Sequence, residues 1–308
     1  MQSAISIYGR YIDTITGVFY FFAGALLVVE LLWLAYRRRL NKPRVLEMLA
    51  SYSPFIPAVV VDALTVTALI ALYYAVYSIS PWEIPVTAWS TLLAVILVDF
   101  VYYWEHRWAH EIRVLWALYH SVHHSSSDFN LGTAFRVSFV DQFFSPLFYL
   151  PLVALGFHPA LILSGLVFIL AYQTWIHTEM IGKLGWLEKI FNTPSHHRVH
   201  HGSDPKYLDR NYAAVLIVWD RLFRTYQVEE ERPVYGLTEP LNSVNPFKVH
   251  FHEAVKLVRD LSGARSAREV CGYLFRLPGW TPLTKDRGVL ALHSHYSGSH
   301  SSTKGGNR

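Results

Sequence analysis

A single cysteine, Cys271, among 308 residues leaves no intramolecular disulfide and no cysteine-rich metal site to consider. Charge is scarce too: Asp, Glu, Lys and Arg make up 16% of the chain, against about 25% in a typical soluble domain. With 52% hydrophobic side chains, the composition points to a bilayer as solvent. The net charge of +4 does not argue for nucleic acid, and none is expected as a partner. Lys and Arg gather in short segments beside apolar runs, where they set membrane orientation. Nor is a cleavable signal peptide expected. The N-terminus opens on mixed polar residues, and its first apolar run is too long for a signal core, so it reads as a retained span.

What is present is a series of long apolar runs. Residues 15–36 and 55–77 each suffice, as helices, for about 30 Å of hydrocarbon. Between them lie Arg37, Arg38, Arg39, Lys42 and Arg44, which place that loop on the cytoplasmic side. A third run, 86–104, follows a Lys- and Arg-free stretch and returns to the basic side, ending at His106 and Arg107. A further apolar pair, 139–155 and 161–176, is broken at Gly156-Phe157-His158-Pro159. Whether this hairpin crosses or only re-enters, both of its ends fall on one side. The expected fold is therefore all-α, a multi-pass membrane helix bundle with a histidine-rich di-metal site on its cytoplasmic face. Its expected parts are transmembrane helices over 1–85, a catalytic domain over 86–245, a cytoplasmic extension over 246–292 and a disordered tail over 293–308.

Ten of the 16 histidines form four groups: His106 and His110; His120, His123 and His124; His177; and His196, His197, His200 and His201. The spacings are H-x-x-x-H, H-x-x-H-H and H-x-x-H-H. On a helix, residues three or four apart share a face, so each group can aim several imidazoles at one point. Scattered histidines such as His158, His250, His252, His293, His295 and His300 read instead as core or surface residues. Ten clustered imidazoles are costly to bury if protonated and suit metal as neutral donors. One zinc is satisfied by about four ligands, so ten donors suit two metals better. Imidazole accepts iron, copper or zinc, and a redox metal at the edge of a bilayer is placed to meet O2 and a lipid together. Two iron ions are expected, with O2 as co-substrate and a membrane lipid as substrate. Asp99, Tyr103, His106 and His110 form one helical stripe, which makes Asp99 a candidate catalytic residue accepting the free N–H of a ligating imidazole. Glu111, beside His110, is a second candidate, as ligand or base.

The three boxes in this order resemble those of the fatty acid hydroxylase and sterol desaturase superfamily. The flanking residues are similar to its alkylglycerol (glyceryl-ether) monooxygenase branch: HRWAHE from His106, HSVHHSSSDFNLGTAFR from His120, YQTWIHTE from Tyr172, NTPSHHRVHHG from Asn192, NYAAVLIVWDRLF from Asn211 and VYGLTEP from Val234. The resemblance implies a non-haem di-iron centre held by His106, His110, His120, His123, His124, His197, His200 and His201, with His177, His196 and Glu111 matching further positions of the branch. It also implies tetrahydrobiopterin as reductant, a partner system that recycles the pterin, and hydroxylation of the carbon beside an ether oxygen. One position departs from the branch: Ser127 stands where an acidic residue is usual, followed by Asp128.

Three functions compete. The first is lipid oxidation, either of an ether lipid or, as a fatty acyl, sterol or aminolipid hydroxylase or desaturase, of another lipid. The second is a histidine-rich metal transporter, which would carry its ligands near the membrane midplane, whereas these lie beyond the ends of the spans. The third is a scaffold with structural zinc, which would close at four ligands. The expected location is the endoplasmic reticulum for a eukaryotic chain and the inner membrane for a bacterial one.

Overall fold

The computed structural model describes residue 17 and residues 21–282. The start of the first expected span and the tail 293–308 lie outside them. Among the described residues the regular structure is helical, joined by two isolated β-bridges, Phe191 to Leu216 and Gly202 to Tyr235. Helix α1 is Phe21–Tyr36. Helix α2, Lys42–Tyr52, is started by Asn41, whose side chain accepts from the Arg44 amide at 3.0 Å. Helix α3, Phe55–Ser78, and helix α4, Ala88–Glu111, have 24 residues each, about 36 Å of helix. By length and composition, the stretches Lys42–Val61, Ala88–Glu111 and Pro159–Ile176 can cross a membrane. The first overlaps α3, and α3 is the better span: it holds no Lys or Arg and lies beyond the turn at Ser53 and Pro54.

Helix α4 starts at a reciprocal cap between Thr87 and Ser90 and runs seven residues past the expected end of its span. That extension makes His106 and His110 parts of one rigid rod. The expected hairpin is uneven. Its first limb falls into the short turns Asp141–Phe144, Ser145–Tyr149 and Leu150–Ala154. Pro146 and Pro151 start the second and third of these, because proline has no N–H to continue the preceding turn. As helix, residues 141–154 would measure about 21 Å, short of the roughly 30 Å hydrocarbon layer. After this limb, Ser121–His124 (α5, earlier in the chain) and Pro159–Ile176 (α6) complete the elements that carry the first histidine groups. Helix α6 packs on α4 where Gly165 meets Val98, in a core with Tyr73, Ala94, Tyr149 and Ile169. Helices α7 (Pro194–His200), α8 (Pro246–Ser262) and α9 (Ala267–Phe275) follow.

The hairpin turn depends on Gly156. Its φ is +92°, its carbonyl accepts from the Ile84 amide at 2.9 Å, and an added Cβ would sit 2.6 Å from the Trp82 carbonyl oxygen. Gly156→Ala is expected to cost about 1–3 kcal/mol of stability. Thermal denaturation of the detergent-purified variant, followed by loss of the monodisperse species, should show the drop, and an unchanged midpoint would contradict this account.

Candidate metal centre

Four chain segments bring the histidines together. His106 and His110 lie on the last turns of α4. A π-helical turn, Trp116–His120, leads into α5, so His120, His123 and His124 sit on one short wound segment. His177 is the residue at the end of α6, and α7 with the residue after it supplies His197, His200 and His201. Nine of the ten converge in two groups: His106, His110, His120, His124 and His200; and His123, His177, His197 and His201. Within each group one nitrogen per residue lies within 4.8 Å of all the others. Neither group includes an Asp or Glu. The groups adjoin, with the rings of His124 and His201 stacked at 4.5 Å.

Hydrogen bonds fix which nitrogen can serve as a donor to metal. The Nδ1 atoms of His106, His177 and His200 face the carbonyls of Tyr212, Gln173 and Arg210 at 2.7, 2.7 and 3.0 Å. A carbonyl only accepts, so these Nδ1 atoms carry the proton and each Nε2 carries a lone pair. Those Nε2 atoms face other imidazoles: His106 to His120 at 3.0 Å, His200 to His124 at 3.0 Å, and His177 to both His123 at 3.2 Å and His197 at 2.9 Å. One imidazole hydrogen bond could satisfy a single pair. It does not account for the crowding at His177, nor for the buried Nε2 atoms of His110 and His201, which have no partner. A shared cation does. Two nitrogens bound at right angles about 2.1 Å from one ion lie about 3.0 Å apart, against about 3.4 Å in a tetrahedron. The observed separations of 2.9 to 3.2 Å are short enough for the nitrogens to share one ion, and the residues present fit a pair of metals.

The tenth predicted ligand, His196, belongs to neither group. It precedes His197 on α7, so the helix turns its side chain by about 100° away from the His197 face, and its Nε2 lies 3.5 Å from the Tyr226 hydroxyl. Asp99 does not meet an imidazole as expected. It is 1% exposed and accepts from the amides of Val215 and Leu216 and from the Trp219 indole, at 2.8, 3.1 and 2.8 Å. Glu111 turns back to Arg107 at 2.9 Å, the i,i+4 pairing of a helix end, and lies outside both groups.

The supports that the sequence did not single out are charged residues flanking the boxes. Asp220 accepts from the Tyr212 and Ala213 amides at 2.8 Å each, fixing the carbonyl that receives His106. Burial pushes the Asp220 carboxyl up to about 6 although these hydrogen bonds pull it down. Arg198, between the histidines of α7, holds Glu229 through two bonds of 2.7 Å. Arg136, fully buried, donates to Ser125 at 2.9 Å and pairs with Glu47 at 2.9 Å. Asp128, the acidic residue next to Ser127, pairs with Arg44 in the first turn of α2. A cavity of about 300 Å³ is lined by His110, His124 and His200 of the first group together with Trp116, Leu208 and Lys256. Lys256 bridges Glu239 and Glu253 at 2.9 and 2.8 Å.

Residues 91–225 match the fatty acid hydroxylase family, a stretch that contains all ten clustered histidines. The chain is 47% identical over 202 residues to alkylglycerol monooxygenase of Xenopus tropicalis, covering 66% of this chain and 44% of that one. It is 44% identical over 229 residues to the Homo sapiens alkylglycerol monooxygenase, covering 74% and 50%. It is 31% identical over 147 residues to the ornithine lipid hydroxylase OlsE of Rhizobium tropici, covering 45% and 42%. The chain thus spans about half the length of the first of these relatives, and no solved structure matches it.

Burial holds His120, His123, His124, His197, His200 and His201 well below the ordinary imidazole value, helped by the neighbouring rings, and pushes His177 down to about 4. A histidine whose pKa falls on folding contributes its full stability above about 6.5 and loses it as pH drops toward the folded value. Metal binding acts in the same direction, since the ligands must be deprotonated. The buried Asp220 carboxyl, raised to about 6, acts in the opposite direction, but the seven histidines outnumber it, so the thermal midpoint should fall on going from pH 6.5 to pH 4. Circular dichroism melts across that range check it, and a midpoint that does not fall would contradict the account.

Proposed function

We propose that the protein, whose residues 91–225 form a fatty acid hydroxylase domain, is an O2-dependent lipid monooxygenase with two iron ions, one in each imidazole group. The observation that carries this reading is the pair of adjoining, buried, all-histidine groups at the ends of apolar helices. Iron bound there supplies O2 activation and the oxidation of an unactivated C–H bond, which acid–base side chains do not achieve. The remaining work falls to the chain. The carbonyls of Tyr212, Gln173 and Arg210 hold the ring protons on Nδ1, and Asp220 and Asp99 hold the 212–216 loop in place. Helices α3, α4 and α6 keep the groups beside the bilayer, on the cytoplasmic face by the basic loop between α1 and α2. The catalytic unit is residues 86–245.

The similarity to alkylglycerol monooxygenases supports an ether lipid as substrate. One oxygen atom of O2 enters the C–H bond beside the ether oxygen, and the other leaves as water with two electrons and two protons. The hemiacetal so formed splits into a fatty aldehyde and a glycerol derivative. Tetrahydrobiopterin supplies the two electrons, and a separate system regenerates it. The cavity above the first group receives the polar end of the lipid, where Lys256 and its carboxylates offer donors and acceptors. Similarity to the ornithine lipid hydroxylase favours one other reading, an aminolipid hydroxylase.

Purified full-length protein, loaded with iron and given tetrahydrobiopterin and an alkylglycerol, should release fatty aldehyde. His124→Ala and His201→Ala, one from each group, should each abolish the release without loss of membrane insertion, and normal turnover in either would refute the assignment. Hydroxylation of an ornithine lipid with no aldehyde from alkylglycerols would select the aminolipid reading. Leu208→Trp, which fills the cavity, should raise KM for the lipid severalfold at unchanged iron content, and an unchanged KM would remove the cavity from the substrate path.

A further inference from the structure

Helix α8 has three faces. Val249, His250 and Leu257 are buried against the protein, and Glu253 and Lys256 help line the cavity over the first histidine group. On the opposite side Phe247, Phe251, Val255 and Val258, spaced four, four and three residues apart, form one stripe. That stripe is bare: Phe247 is 76% exposed, Val255 55% and Val258 62%. At about 100° per residue, the third face carries Lys248 and Arg259, both exposed, whereas the acidic residues Glu253 and Asp260 turn inward to Lys256 and Arg113. An apolar stripe edged by basic residues is the pattern of a helix lying in a membrane surface, with the cations at the phosphate level.

Its position agrees. His250 stacks on Phe139 at 4.5 Å, and Phe251 lies 6.4 Å from the same ring. Phe139 heads the broken limb, whose Phe143 and Leu147 are exposed on a segment packed against the membrane helix α3. The apolar surface thus continues from the lipid-facing limb onto the α8 stripe. We propose that α8 lies in the bilayer surface with Phe247, Phe251, Val255 and Val258 in the lipid and Lys248 and Arg259 on anionic headgroups. One face of the helix then rests in lipid while the other walls the cavity, which sets the cavity beside the headgroups. The residue range 246–292, expected to be a cytoplasmic extension, becomes in part a membrane-surface element. The inference stands on surface chemistry and does not depend on which metal or lipid the site takes.

The chain's single cysteine makes the test direct. In a Cys271→Ser background, Phe251→Cys, Val255→Cys, Val258→Cys and Arg259→Cys carry a nitroxide in full-length protein, reconstituted into nanodiscs of phosphatidylcholine and phosphatidylglycerol. Collisions with O2, which concentrates in lipid, are compared with collisions with a water-soluble nickel chelate. Labels at 251, 255 and 258 should favour O2 over nickel severalfold more than the label at 259, which changes no apolar residue and reports the aqueous side. Nickel access at 251, 255 and 258 equal to that at 259 would overturn the proposal. Shielding from both reagents with spin coupling between chains would also overturn it, by assigning the stripe to a second copy.

Discussion

Nine imidazoles gathered in two adjoining groups, eight of them buried, set the terms for the rest of the molecule. Such an arrangement is unfavourable unless the rings stay deprotonated and cations accept the lone pairs. Neutrality is secured by burial, which depresses the pKa of the rings on α5 and α7. Direction is secured by backbone carbonyls that take the Nδ1 protons of His106, His177 and His200. Those carbonyls must themselves be fixed, and carboxylates do that for the loop after α7. Asp220 binds the amides at 212 and 213, and Asp99 binds those at 215 and 216 from within α4. The same helix that presents His106 thereby anchors the loop that orients it.

The parts of this arrangement that were legible in the sequence are those governed by local periodicity. Spacing of four residues brought His106 with His110, His120 with His124 and His197 with His201, because a helix repeats close to that interval. The same periodicity explains the excess member, since adjacency to His197 says nothing about direction and places His196 on another face. Asp99 stands on the helical stripe that the spacing predicts, but its partners are two amides and an indole more than 100 residues away rather than an imidazole, and no local pattern encodes them. Arg136 with Glu47 and Arg198 with Glu229 escaped for the same reason. The division into two groups was also invisible: His120 and His124 enter one and His123 the other, a split made by the π-helical turn and by the approach of α6 and α7.

The membrane character enters the chemistry through geometry. Helix α4 is long and apolar enough to cross a membrane and carries His106 and His110 at its end, so an apolar stretch and candidate metal-binding groups share one element. The cavity over the first group lies between that helix's end and helix α8, whose outer face is apolar and whose cavity side carries Glu253 and Lys256. A lipid with a polar head and a long chain matches such a boundary better than a soluble substrate does. The match to the fatty acid hydroxylase family covers the histidine-bearing stretch, and the ether-lipid reading rests on relatives of which this chain spans about half the length.

Two groups of five and four histidines call for two metal ions, and the account stands or falls on that number. Elemental analysis of the purified full-length protein, expressed with iron, measures it directly. About two equivalents of iron per chain are expected, falling to about one when His120 of the first group or His197 of the second is replaced by alanine. A single equivalent in the unaltered protein, or full occupancy in both variants, would contradict a centre built from two separate imidazole groups.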